Sequence, residues 1–323
     1  MRVLLWHVHG AWTTAFVHGE HDYVVPVVGD RGPDGRGRAQ TYEWPGHVRE
    51  LAPEALADEP FDLVVLQRPH ELELAERWLG RRPGRDIPAV YVEHNAPQGR
   101  IADMRHPMAG HDELLLVHVT HFNELFWDCE GTPTRVIEHG IVDPGPLYTG
   151  ELERAAVVIN EPGRRGRVTG TDLLGRFALA APLDLFGIGV EHARTAATPI
   201  ADLPQARLHS EMARRRAYLH PVRWTSLGLS LLEAMHLGMP VVALGTTEVA
   251  EAVPAQAGAV STRVSVLAEA LRRLVADPDE ARERGAAARE AALRRYGLER
   301  FLRDWDETLT AWAGAGRREE AAA

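Results

Sequence analysis

Short, nearly continuous apolar runs alternate with amphipathic stretches along the first half of the chain. Arg2–Val8, Tyr23–Val28, Phe61–Gln67, Pro88–Glu93, Glu113–Val119 and Arg135–Glu138 read as strands. Pro26 inside the second run predicts an edge position, because proline cannot donate to a ladder. Arg49–Ala57 and Glu71–Leu79 read as helices, His121–Asp128 is amphipathic, and the Gly-, Arg- and Pro-rich Asp30–Pro45 reads as a long exposed loop. Runs apolar on both faces, separated by helix-length segments, predict buried strands of a parallel α/β sheet.

The second half repeats this logic. Ala155–Asn160, Leu183–Val190, Ala217–Pro221 and Met239–Leu244 read as strands, and Thr171–Ala180, Leu208–Arg216 and Leu227–Leu237 as helices. Helices then dominate: Val264–Val275, Pro278–Arg295 and Glu299–Ala313, with a frayed tail over Gly314–Ala323. Charge alternates with alanine in the middle one, which predicts a solvated helix. Pro144, Gly145 and Pro146 mark a break between two α/β domains. Ligands of open parallel sheets sit beyond the carboxyl ends of strands. Function is therefore expected in the strand-end loops His9–Thr13, His94–Pro97, Glu161–Thr169 and Thr225–Leu229 of two domains facing a cleft.

Composition narrows the class. A length of 323 residues with 45% apolar content suits two domains with ordinary cores. A formal charge of −10 argues against nucleic acid as a partner, and no run reaches the length of a membrane span. One cysteine, Cys129, and no signal-peptide pattern at the N-terminus predict a cytoplasmic protein. All 36 basic residues are arginine, so any phosphate must be held by arginine, histidine, hydroxyls or backbone amides.

Pro221–Leu244 carries the strongest signal. It reads as a loop, a helix start with Ser226 as N-cap, a buried helix closed by Gly238 and Pro240, and a buried strand. The amides of Leu227, Gly228 and Leu229 would be unpaired there, and Gly228 has no side chain to obstruct a ligand. Free N–H groups at the positive end of a helix suit a diphosphate. Glu233, a lone carboxylate on an otherwise apolar helix, needs partners; a ribose diol or a structural hydrogen bond would each supply them.

This segment resembles the signature region of retaining glycosyltransferases of the GT-B fold, glycosyltransferase family 4. Their pattern is Glu, seven residues, Glu, then Ala-Met, Gly and Pro-Val-Val. Glu233, Ala234, Met235, Gly238, Pro240, Val241 and Val242 match it, while Thr225 stands at the first glutamate. Val136–Asp143 resembles the family's interdomain segment. Arg164, Thr169, Gly170 and Asp172 follow its phosphate loop, with threonine where lysine is expected and Arg165 or Arg167 able to replace that cation. Val92-Glu93-His94 resembles the strand end that places a histidine near the donor sugar, and Phe186–Gly189, with Gly187, the strand beside the base. Gly10 and Trp12 fall where the family has a Gly-containing loop close to the diphosphate.

The resemblance implies two Rossmann-like domains, 1–147 for the acceptor and 148–300 for the nucleotide sugar, with 301–323 returning to the first. It implies transfer from a GDP-, UDP- or ADP-linked sugar to a small-molecule acceptor, with retention and no metal. His94 and Arg164 would take part in the chemistry, with Gly10, Trp12, Arg165, Arg167, Thr169, Gly187, Thr225, Ser226, Leu227, Gly228, Leu229 and Glu233 around the donor. Alternatives are a non-catalytic or phosphorylase-type relative of that fold. More distant is a metal-dependent hydrolase built on the His7-Val8-His9 pair, whose imidazoles would share one strand face. Cys129 has no implied base and is a weak nucleophile candidate.

Overall fold

The computed structural model describes residues 1–200 and 202–322, with side chains up to residue 315, so most side chains of the tail expected to fray, Gly314–Ala323, lie outside the described residues. The chain divides into two units: Met1–Gly140 with Leu298–Ala323, and Ile141–Gly297.

The first unit contains β1 (Arg2–Leu5), α1 (Gly10–Phe16), β2 (Asp22–Pro26), β3 (Arg49–Leu51), β4 (Leu63–Leu66), α2 (Glu71–Leu79), β5 (Ala89–Glu93), β6 (Leu115–His118), α3 (His121–Phe126) and β7 (Thr134–Val136). Its seven strands are all parallel, in the order β3-β2-β1-β4-β5-β6-β7. Pro26 is not on an edge strand, since β2 pairs with both β1 and β3. It is the last residue of β2, where a missing N–H ends a ladder without breaking it. The helix expected over Arg49–Ala57 is instead edge strand β3 and one 3-10 turn, Pro53–Ala55. Pro53 explains the difference: it holds Ala52 extended (φ −69°, ψ 149°), and Arg49 is drawn to Glu59.

The second unit runs β8 (Leu152–Val158), α4 (Pro162–Arg165), α5 (Leu174–Ala178), β9 (Leu183–Phe186), β10 (Thr198–Pro199), α6 (Gln205–Ala213), β11 (Arg215–His220), α7 (Leu229–Leu237), β12 (Val241–Leu244), α8 (Val249–Ala252), β13 (Gly258–Ser261), α9 (Val264–Ala276) and α10 (Pro278–Tyr296). Its parallel sheet has the order β10-β9-β8-β11-β12-β13. Asp277 starts α10 by accepting from the amides of Asp279 and Glu280, with Pro278 at the first helical position. That helix is not solvated all round. Ala281, Gly285, Ala288, Ala291 and Ala292 are buried. Gly285 lies so close to α7's end that a Cβ on it would sit 2.0 Å from the Gly238 carbonyl oxygen. The charged residues form its outer face and the small ones a seam.

α11 (Leu298–Ala322) belongs to the first unit. Phe301 and Trp305 pack edge-on against Trp12, and Trp305 also against Phe16. Each sheet winds outward in both directions from its first strand, so the strand order reverses between β1 and β4 and again between β8 and β11. In doubly wound sheets ligands sit at the carboxyl ends of strands beside that reversal.

Candidate functional site

In the second unit four strand-end loops meet. After β8, Asn160 accepts from the Ile188 amide (3.0 Å) and Glu161 donates its amide to the Ile188 carbonyl (2.7 Å), tying this loop to the turn after β9. Only glycine fits that turn: Gly187 has φ 129°, and a Cβ would meet the Ile159 carbonyl oxygen at 2.4 Å. After β11, the amides of Arg223 and Trp224 donate to the Val168 carbonyl, and the Arg223 guanidinium grips Asp172. Thr246, after β12, donates its hydroxyl to the Val222 carbonyl (3.0 Å).

The helix start differs from expectation in register. α7 begins at Leu229, its N-cap is Gly228 and no side chain caps it. Ser226 is buried upstream, where its carbonyl accepts from the Glu248 amide. The site sits two residues later because the loop is pinned at Val222 and Ser226 to the turn after β12. The first intrahelical acceptor is the Gly228 carbonyl, reached by Leu231, so the Leu229 and Ser230 amides face out at the N-terminus. A Cβ on Gly228 would lie 2.5 Å from the His220 ring.

The three loop arginines are in unlike states. Arg164 is exposed and held in an ion pair by Glu161. Arg167 is exposed and 3.3 Å from Asp172. Arg165 is half-buried and makes no ion pair among the described residues. Burial is the main influence lowering its pKa, Arg164 adds to it, and Glu161 opposes. Thr169, at the position of the missing lysine, is buried and turns inward to the Gly166 carbonyl and the Thr171 hydroxyl. Thr225 is half-buried in the loop before α7.

Glu233 is buried and partnered. Gln205 of α6 donates to its Oε1 (2.8 Å), and His209 Nε2 lies 3.6 Å from its Oε2. Both expected readings are thus compatible: the carboxylate is anchored by protein, and its remaining lone pairs can accept hydroxyls.

In the first unit, His9, His94 and His139 follow β1, β5 and β7 and come together. The His9 and His94 rings are 4.1 Å apart, and Trp12 meets His94 edge-on at 4.9 Å. Gln67, after β4, donates its amide to the Trp6 carbonyl (2.6 Å) and accepts from His94 Nε2 (3.0 Å), fixing the His94 tautomer. Burial keeps all three imidazoles neutral near pH 7. It lowers the pKa of His9 to about 4 and of His139 to about 3, and that of His94 falls well below 6.5. Trp12 itself is fully buried behind His94 and offers no surface to a ligand. Gly10 lies beneath Tyr42, whose ring would be 2.7 Å from a Cβ there. The strand-end rule marks the loops of His9 and His94 but not the contact between them, and sequence reasoning passed over His139 as a site residue, which the same rule applied after β7 would have flagged.

His7 parts company with His9. It turns to the Gly37 carbonyl (3.0 Å) and packs against Trp44. Among the described residues no three His, Cys, Asp or Glu side chains group as metal ligands. Burial raises the Cys129 thiol to about 11, away from nucleophilic character.

Residues 199–291, most of the second unit, match the family model of glycosyl transferases group 1. Among curated proteins none matches the chain. The structure is similar to sucrose-phosphate synthase from Thermosynechococcus elongatus, with TM-score 0.72, 14% identity and all of both chains covered. It is also similar to Anabaena HepE in complex with UDP (TM-score 0.66, 13% identity, 96% of this chain and 100% of that one). AviGT4, a glycosyltransferase involved in avilamycin A biosynthesis, gives TM-score 0.61 at 16% identity over 98% of each chain. The two parallel α/β units are those of a GT-B fold. With the family match, the chain is a glycosyltransferase.

Proposed function

We propose that this chain transfers a sugar from a nucleotide diphosphate sugar to a small-molecule acceptor with retention of configuration, the second unit holding the nucleotide and the first the acceptor. One observation carries the reading. A half-buried arginine without an ion pair among the described residues, Arg165, shares a set of interlocked loops with the uncapped N-terminus of α7 and the anchored carboxylate Glu233. Those are a cation, outward-facing amides and a diol acceptor: the three parts a nucleoside diphosphate needs.

Negative charge grows on the leaving phosphate as the glycosidic bond breaks. Arg165, with Arg164 or Arg167, and the amides of Leu229 and Ser230 stabilise it without reorganising. This assigns to protein groups the work a divalent metal does elsewhere. Same-face attack lets the leaving phosphate accept the acceptor proton, and His94, neutral and fixed by Gln67, positions substrate. Thr225, shorter than the glutamate of the resembled pattern, leaves room for a donor sugar bulkier or differently hydroxylated than glucose. Full activity confined to ordinary hexose donors would refute that point.

The UDP complex of HepE puts UDP first in the ligand panel, with GDP, ADP, CDP and dTDP beside it. A nucleotide at ~100 times its Kd adds about 2.7 kcal/mol, a rise of several degrees in Tm. One nucleotide should stand out and be indifferent to EDTA. Silence from all five would move the reading to a phosphorylase-type or non-catalytic relative.

A further inference from the structure

His139 is 3% exposed, and neither of its ring nitrogens has a hydrogen-bond partner among the described residues. His9 beside it makes no side-chain hydrogen bond among the described residues, while its ring lies against His94. Two neutral imidazoles therefore stand together: both ring nitrogens of His139 are buried with nothing among the described residues to receive them, while the half-buried His9 leads to them from the surface. Buried polar groups are nearly always paired, so His139 marks a place where a polar ligand or ordered water belongs. Of the neighbouring cations, Arg300 donates to the carbonyls of Glu138 and His139 and Arg68 is paired with Glu71 and Asp34, each keeping one buried N–H without a partner among the described residues. Uncharged donor-and-acceptor nitrogens match hydroxyls, which are themselves both donor and acceptor, better than they match an anion.

We propose that His9 and His139, braced by His94, form a hydroxyl-binding subsite for a carbohydrate acceptor, contained wholly in the first unit. This rests on the transferase reading above for the word acceptor, and on the imidazole pair alone for the hydroxyl chemistry. His9 is the entrance and His139 the inner wall, because His9 is the more exposed of the two. His94 is the brace, since Gln67 locks its Nε2–H and Trp12 its ring. The glycine that follows His9 keeps the approach narrow, lying under Tyr42.

The test uses the full chain labelled with 15N-histidine, whose long-range nitrogen–proton spectra report each ring's tautomer and hydrogen bonding. Single variants assign His9 and His139. D-glucose, glycerol and inorganic phosphate are titrated separately, and UDP and GDP binding is measured in parallel. The expected result is a saturable shift of both ring systems with D-glucose, a weaker one with glycerol and none with phosphate. In His139→Leu the shift at His9 should be lost while nucleotide Kd stays within about twofold. Rings that ignore both polyols, or that answer phosphate instead, overturn the subsite. Absent nucleotide binding with intact polyol shifts would instead strike the transferase reading and leave the hydroxyl site standing.

Discussion

Arg223 and Asp172, 51 residues apart in sequence, meet in a two-pronged pair: Nη1 faces one carboxylate oxygen and Nη2 the other at 2.9 Å. Arg223 also donates to the Arg167 carbonyl (2.7 Å). The pair clasps the arginine loop to the loop that opens α7. Since both side chains are partly exposed, it stabilises the unit by only about 1 kcal/mol. Its larger effect is on geometry. Arg223→Ala should lower Tm by a few degrees yet weaken nucleotide binding about tenfold or more. Calorimetric titration of the best nucleotide checks this, and equal Kd values would mean the two loops hold register without the clasp.

Arg165 and Arg164 are neighbours in opposite circumstances, one half-buried without an ion pair among the described residues, the other exposed and satisfied by Glu161. Replacing each by glutamine should separate them. Arg165→Gln is expected to cost about 1.5–3 kcal/mol in diphosphate affinity, the range for a charge-assisted hydrogen bond. Arg164→Gln should cost far less. Comparing nucleoside with nucleoside diphosphate isolates the phosphate contribution; the reverse ranking would reassign the clamp.

For Glu233 the two readings divide on a single variant. Glu233→Gln keeps an acceptor oxygen but loses the charge; Glu233→Ala also frees Gln205 and His209. If the carboxylate accepts the ribose diol, Kd should rise about 10–100-fold in both, and deoxyribonucleotides should already bind the parent protein weakly. A fall in Tm without a change in Kd would leave Glu233 purely structural.

His118 supplies a pH prediction outside the site. It is fully buried, and burial, with a smaller push from His106, lowers its pKa from 6.5 to about 3. Between those values the unfolded chain holds a proton that the folded chain refuses. Its stabilisation is therefore complete above pH 6.5 and drains away as pH falls toward 3, at about 1.4 kcal/mol per pH unit. His9, His139 and His220 behave the same way down to about 4, 3 and 4. Urea unfolding at pH 7 and pH 5 measures the slope. Seven of the eight tryptophans lie in the first unit, so fluorescence reports mainly on it. His118→Gln should make the slope shallower by one proton.

Much of the architecture is legible in sequence because parallel strands buried on both faces, such as Leu63–Leu66 and Val241–Leu244, read as unbroken apolar runs. What escapes is set by contacts across the fold. Ser226 has every local credential of an N-cap, yet its carbonyl is claimed by Glu248 and the helix waits for Gly228. Pro26 looks like an edge residue until β3 pairs outside it. Each histidine of the imidazole group follows a strand end, which sequence can show, but that the three meet is set by the sheet order and not by any local pattern.

Residues 298–309 close a core that residues 1–16 open, and the whole second unit is made in between. During synthesis Trp12 and Phe16 therefore emerge early and find Phe301 and Trp305 only after the intervening unit is complete. The second unit, with all its strands contiguous, can finish folding first. The first must hold its aromatic face open for the seconds that translation of about 300 residues takes, at roughly 5–20 residues per second. Order of assembly is thus written into the chain path: the unit of residues 141–297 can mature before the one that Trp12 and Trp305 close.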